Sequence, residues 1–148
     1  MKNKLLFILT AIIMFILGAS DSLRGVFTPL FTKSFGITVN QLGMIVSASY
    51  LGNIIFLISG GMILDKFDIK KCQISFLIFL MLSETILIFS NSFIMLATGF
   101  FLTLGLSTLL NTTINLYSDR FSDTRGLMYI NILFFIQGIV SSLAQDTL

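Results

Sequence analysis

Residues 72–118 read CQISFLIFLMLSETILIFSNSFIMLATGFFLTLGLSTLLNTTINLYS and carry a single charged residue, Glu84. These 47 positions would form an α-helix about 70 Å long, whereas the hydrocarbon core of a bilayer is about 30 Å thick. The stretch therefore predicts two membrane-spanning helices rather than one. The small polar residues of SNS, 90–92, favour a turn and mark the break between the two helices.

The composition of the whole chain agrees with a lipid environment. Apolar residues make up 55% and charged residues 11% of the 148 positions, whereas a soluble domain carries about 25% charged residues. So few charges could not cover a water-facing surface, which makes the lipid bilayer the expected surroundings. The net charge of +2 is too small to indicate a nucleic-acid partner.

Three further uncharged stretches are long enough to span a bilayer: residues 5–20, 34–64 and 126–145. The apolar character of the first continues past Asp21 to Phe31. The sequence thus predicts an all-α, polytopic transmembrane bundle. Its five helices are expected at about 5–31, 40–64, 72–90, 93–117 and 126–145.

The basic residues predict the orientation of these helices. With the N-terminus in the cytoplasm, only Lys33 falls on the outer side, and Arg24 lies within the first helix. Cytoplasmic loops of membrane proteins carry an excess of lysine and arginine, so a multi-pass protein of the plasma membrane with a cytoplasmic N-terminus is expected. The residues assigned to the cytoplasmic side are Lys2, Lys4, Lys66, Lys70, Lys71, Arg120 and Arg125.

The N-terminus also has an alternative interpretation. The segment MKNKLLFILTAIIMFILGAS, 1–20, has lysines, an apolar centre and small residues at its end, as a secretory signal peptide does. A signal peptide is normally followed by a polar mature domain, but here another hydrophobic segment follows after a short linker. This order favours a retained first helix.

The densest group of charges is the stretch GGMILDKFDIKK, 60–71. It resembles the signature loop of the major facilitator superfamily, which lies between the second and third helices of that family. The signature consists of a glycine, three residues, an aspartate, a basic residue, one residue, a second glycine and a basic triplet. The residues that match it here are Gly61, Asp65, Lys66, Lys70 and Lys71.

Two residues depart from the signature. Asp68 replaces its second glycine, and Ile69 replaces the first residue of its basic triplet. Aspartate tolerates a left-handed backbone better than most residues, so the replacement at Asp68 is expected to be physically mild. The resemblance implies that Asp65 is a conformational latch, whereas Lys70 and its neighbour mainly set the topology. The alternative is a solvated loop that does no more than set the topology.

The resemblance implies the architecture of a secondary transporter. Members have twelve helices in two six-helix halves and work by alternating access. Residues 1–148 would then be an incomplete N-terminal half that lacks a C-terminal half as its partner. They would move an unknown small solute, with ion coupling, only as part of the whole, and the stretch GLSTLLNTTIN, 105–115, resembles sugar-type members. The alternative is a complete small membrane interaction or scaffold protein without transport activity.

Ionisable residues within membrane helices are costly and are functional candidates by default. Asp21 and Arg24 are three residues apart, hence neighbours on one helix face. One interpretation is a proton- or substrate-binding pair, because the resemblance places the first helix at the cavity. The alternative is a structural ion pair, or an Arg24 side chain that reaches up to the outer interface. Glu84 is expected in a packing role, with Arg24 as a possible partner.

Amide side chains add a second group of candidates. Asn111 and Asn115 are four residues apart on the predicted fourth helix, which also lines the cavity in the resembling family. They could bind hydroxyl groups of a polar solute or form interhelical hydrogen bonds. For Asn53, Asn131 and Gln137 we expect the structural role.

The sequence offers no basis for an enzyme. It has no histidine and one cysteine, Cys72, so neither a metal site nor catalysis by a cysteine–histidine pair is expected. No glycine-rich loop stands between a strand and a helix, as nucleotide binding would require. The expected catalytic residues, cofactors and metals are therefore none.

Overall fold

The structure is a computed structural model that describes residues 4–122 and 124–146, with side chains described at 4–22, 36–117, 120–122 and 124–143. All regular secondary structure in this part of the chain is helical, which confirms the predicted all-α class. The helices are α1 (Lys4–Phe35), α2 (Val39–Leu64), α3 (Ile69–Ile88), α4 (Phe93–Asn115), α5 (Ser118–Phe121) and α6 (Gly126–Asp146).

Five of these helices are long and apolar enough to cross a membrane, as predicted: α1 over Lys4–Ser22, α2, α3, α4, and α6 over Gly126–Leu143. Their outer faces carry large apolar side chains; Ile58, Ile74 and Phe135 are each more than 60% exposed. Contiguous apolar surface of this kind marks contact with lipid or another protein. The helices therefore present their apolar faces outwards as well as inwards.

The first helix is longer than predicted because its stop signal lies at Gly36. This glycine has φ +60°, the left-handed conformation in which helices commonly end and which glycine adopts without steric cost. The next helix begins three residues later, at Val39. The Thr38 hydroxyl accepts from the Gln41 N–H at 3.3 Å, and Gln41 Oε1 accepts from the Thr38 N–H at 2.9 Å. This reciprocal capping box fixes the start of α2.

The signature loop turns without a left-handed residue, so tolerance of that conformation is not what makes the replacement at Asp68 mild. Asp68 has φ −62° and ψ 127° and is the N-cap of α3. Its carboxylate accepts from the backbone N–H groups of Lys70 at 3.0 Å and Lys71 at 3.3 Å. The first N–H groups of a helix lack intrahelical partners, and aspartate supplies one. Glycine is also accepted at an N-cap, at a cost of only a few tenths of a kcal/mol, so the two residues are nearly interchangeable here.

The helices group into two compact units: a terminal unit of residues 1–30 and 114–148, and a central unit of residues 31–113. In the central unit, α2 and α4 run parallel, and glycines on each helix face bulky side chains on the other. The Phe56 and Phe101 rings also meet edge to face, with centroids 5.9 Å apart. The pairs are Gly52 with Phe101, Phe56 with Gly105, and Gly60 with Leu109.

The spacing of the glycines on α2 agrees with this contact. Gly52 and Gly60 are buried, and a Cβ added to either would overlap α4. Small residues at four-residue spacing let helix backbones approach closely in a membrane. The partners on α4 could not be read from the spacing on α2 alone.

A second contact in the central unit joins α3 to α4 as an antiparallel hairpin. The hydroxyls of Ser83 and Thr103 are 3.0 Å apart, and both residues are fully buried. Further along, Leu87 packs against Gly99. A paired hydroxyl contact avoids the cost of leaving either group unsatisfied in an apolar interior.

The terminal unit has its own aromatic cluster. Phe7 of α1 meets Phe121 and Tyr129 edge to face, with ring centroids 5.7 and 5.5 Å away. Arg120 lies over the ring of the buried Tyr117, 5.5 Å from its centroid. The short helix α5, which was not predicted, is therefore held by ring contacts at its last residue, and α1 and α6 lie side by side.

Candidate functional site

Asp21 lies where α1 contacts α6 in the terminal unit. Its Oδ2 accepts a hydrogen bond from Gln137 Nε2 at 2.8 Å. Asp21 is half-buried, and Gln137 is 8% exposed. The structure thus brings a predicted candidate together with a residue for which only a structural role was expected.

A glycine makes this contact possible. A Cβ added to Gly18 would lie 2.5 Å from the backbone oxygen of Gln137 and 3.0 Å from Val140 Cβ. Gly18 precedes Asp21 by three residues and shares its helix face. The two helix backbones can therefore approach closely enough for the short aspartate side chain to reach the amide. We refer to Gly18, Asp21 and Gln137 as the Asp21 site.

The other ionisable candidates are placed less fully. The side chain of Arg24 lies outside the described residues, so its predicted pairing with Asp21 or Glu84 stays a prediction. Glu84 is half-buried on α3, in the central unit, next to the Ser83 that bonds α4. This position is compatible with the packing role expected for Glu84.

The two asparagines of α4 have different environments. Asn111 is half-buried, and its Oδ1 is buried without a hydrogen-bond partner among the described residues. Asn115, one turn later, is exposed. A buried acceptor without a donor costs about 1–3 kcal/mol, so a donor that reached Asn111 would recover that cost.

Two residues of the same stripe were missed by sequence reasoning. Thr103 and Ser107 precede Asn111 at four-residue spacing, and both are buried. The signal was present in TLGLSTLLN, 103–111, because positions four apart share a helix face. The polar face of α4 therefore extends over at least three turns.

The residues that match the signature loop are all exposed. No described atom lies within 4 Å of a Cβ built on Gly61, so the helix surface there is open. The Asp68 carboxylate is engaged at the N-cap, whereas that of Asp65 makes no hydrogen bond or ion pair with any described residue. The exposed residues are Gly61, Asp65, Lys66, Lys70 and Lys71.

Metal ligands do not cluster in this part of the structure. Among the described residues, no three of histidine, cysteine, aspartate and glutamate come together in a group that could hold a metal ion. The polar groups that do converge are carboxylate, amide and hydroxyl groups.

The five apolar spans place the chain among multi-pass membrane proteins. The family model of the Major Facilitator Superfamily matches residues 10–144 of the chain. Because this match covers most of the chain, with four of the spans complete and most of the first, the chain belongs to that superfamily of membrane transporters. No curated protein and no solved structure matched the chain.

Proposed function

We propose that the chain forms the first five helices of the N-terminal half of a secondary active transporter. It would move a small polar solute by alternating access, with ion coupling. The observation that carries the proposal is the family match over residues 10–144, together with a signature-like loop between the second and third spans. In the family architecture, the other half supplies the opposite wall of the cavity.

Each candidate has a role in this proposal. Asp21 binds and releases the coupling proton, and Arg24 is its neighbour on the same helix. Asn111 and Asn115 bind the solute on the polar face of α4. The buried acceptor of Asn111 supports a solute with hydroxyl groups, in keeping with the resemblance to sugar-type members.

Reconstitution tests the proposal directly. The chain is placed in vesicles alone or together with the remaining helices of the family architecture, and uptake of small polar solutes is measured under an imposed pH gradient. We expect saturable uptake only from the combination. Saturable uptake by the chain alone would contradict its assignment as part of a half. The scaffold alternative predicts no uptake from either, and the family match does not favour it.

The orientation is a separate prediction. We expect the N-terminus and the signature loop to face the cytoplasm of the plasma membrane, because of the basic residues on that side. In a Cys72→Ser background, Lys70→Cys in spheroplasts should resist an impermeant thiol reagent until the membrane is permeabilised. Position 70 is exposed, so burial would not mask labelling. Labelling of intact spheroplasts would reverse the topology.

The signature loop provides a matched pair of variants. Asp65 is exposed, and its carboxylate makes no hydrogen bond or ion pair with a described residue. This carboxylate is therefore available to a helix N-terminus of the other half. Such a contact stabilises by up to about 2 kcal/mol when partly buried. We expect Asp65→Asn to slow transport by about tenfold or more in the complete transporter. Substrate affinity should change little, because the loop is distant from the cavity.

Lys70→Gln is the control for this pair. It removes a charge from the same loop but leaves Asp65 and the Asp68 cap intact, so we expect a much smaller effect on transport. Uptake rates and membrane insertion are measured for both variants. Equal and small effects would leave the loop as a solvated connector.

A further inference from the structure

We infer that Gln137 is a positioning residue for Asp21, holding its carboxylate against α6 in the orientation that coupling requires. The inference rests on the proposed coupling role of Asp21 and adds a residue that the sequence pattern did not assign. Its physical basis is the 2.8 Å hydrogen bond from Gln137 Nε2 to Asp21 Oδ2.

The bond is well placed to restrain the carboxylate. Gln137 is buried, so its side chain has little freedom to turn towards another partner. A hydrogen bond to a charged acceptor is roughly twice as strong as one between neutral groups. In an interior of low dielectric, such a bond is stronger again than it is in water.

The backbone geometry makes the restraint specific. Gly18 brings α1 against the Gln137 carbonyl, and Asp21 follows one turn later on the same face. The close contact of α1 with the α6 backbone at Gln137 therefore places the Gln137 amide within reach of the Asp21 carboxylate. A wider helix spacing would carry the donor out of hydrogen-bond range, because good bonds of this kind end at about 3.2 Å.

The sequence gives the charged residues that lie nearest to Asp21 along α1 and on α6. On α6, no charged residue occurs between Arg125 and Asp146, so the contribution of that helix to Asp21 is the neutral amide. On α1, Arg24 is the nearest charged residue along the chain, and its side chain lies outside those described. An uncharged donor can orient Asp21 without fixing its protonation state, which a coupling residue must change.

Chemical labelling tests the restraint in the chain itself. The chain in lipid nanodiscs is treated with dicyclohexylcarbodiimide, which modifies carboxyl groups in apolar surroundings, and modification of Asp21 and Glu84 is followed by mass spectrometry. Gln137→Leu removes the donor that occupies Asp21 Oδ2. We expect Asp21 to react about tenfold faster, in line with the loss of one hydrogen bond to a charged group, while the rate at Glu84 stays unchanged.

Two matched controls accompany this variant. Asn131→Leu removes an exposed amide from the same helix and should leave the Asp21 rate unchanged. Gly18→Ala should raise the rate by forcing α1 away from α6, whereas Gly138→Ala, at an open position of α6, should not. Gly18→Ala keeps the test valid if Gln137→Leu fails to fold.

Transport in the complete transporter separates positioning from packing. We expect Gln137→Leu to reduce proton-driven accumulation about tenfold and to leave downhill exchange largely intact. In an Asp21→Asn background, where accumulation is already lost, the same substitution should leave downhill exchange unchanged, because Gln137 then has no coupling carboxylate to position.

The outcomes distinguish this inference from the proposal on which it rests. An unchanged Asp21 labelling rate in both Gln137→Leu and Gly18→Ala would overturn the positioning role. So would a Gln137→Leu variant that loses exchange as strongly as accumulation in the otherwise wild-type transporter. Accumulation that survives Asp21→Asn would instead overturn the coupling role of Asp21, whatever the labelling shows.

Discussion

Replacing Asp21 by asparagine is expected to abolish proton-driven accumulation in the complete transporter and to leave downhill exchange in place. A coupling carboxylate changes charge during the cycle, and an amide cannot. The substitution is conservative for the fold, since the asparagine oxygen can still accept from Gln137 Nε2, which is 2.8 Å away in the wild-type chain. Loss of accumulation would therefore report the missing proton rather than a broken helix contact.

The measurement compares the accumulation ratio under a pH gradient with counterflow exchange when no gradient is applied. Glu84→Gln is the matched control, because Glu84 is also half-buried in a membrane helix but has an expected packing role. Accumulation that persists in Asp21→Asn and disappears in Glu84→Gln would move the coupling site to α3. Persistence in both would assign coupling to the other half or to another ion.

The second large effect is expected at Gly52. A Cβ at this position would overlap the backbone carbonyl oxygen of Phe101, which cannot move unless α2 and α4 separate. Overpacking of this kind costs about 1–3 kcal/mol and occasionally more. We expect Gly52→Ala to lower the free energy of unfolding of the chain by at least about 2 kcal/mol.

Other glycines of α2 serve as internal standards for this prediction. At Gly60 the overlapping atom is the end of the Leu109 side chain, which can rotate, so a smaller loss is expected. Gly43 faces open space, and alanine there should be neutral or stabilising by up to about 1 kcal/mol through helix propensity. The free energies of unfolding of the three variants are measured in detergent by titration with a denaturing surfactant, and they give the order of the losses. Equal losses at Gly52 and Gly43 would refute the packing account.

The number of helices could be predicted from the sequence because each membrane span requires a long, uncharged apolar stretch. Long uncharged stretches and short charged loops located all five spans. The end of α1 and the existence of α5 could not be predicted so easily. A four-residue helix such as Ser118–Phe121 is too short to show a hydrophobic period, and ring contacts hold its last residue.

Predictions for the candidate site depended on distance along the chain. Asp21 was a candidate because a carboxylate within an apolar helix is costly wherever it points. Its partner Gln137 is 116 positions away, and only the packing of α1 on α6 brings the two together. For Asp68, the glycine of the family pattern suggested a left-handed turn, while an aspartate directly before a helix is an equally local signal for an N-cap.

The alternation of glycine and bulky residues between α2 and α4 constrains how these helices can move. Sliding α2 along α4 by four residues, about 6 Å, would set Gly60 opposite Gly105 and Phe56 against Phe101. The two glycines would then leave a gap between the helices, and the two phenylalanine rings would collide. The interface therefore allows a single register, and α2 and α4 move together as a rigid pair. Any rearrangement during a transport cycle has to occur at other helix contacts.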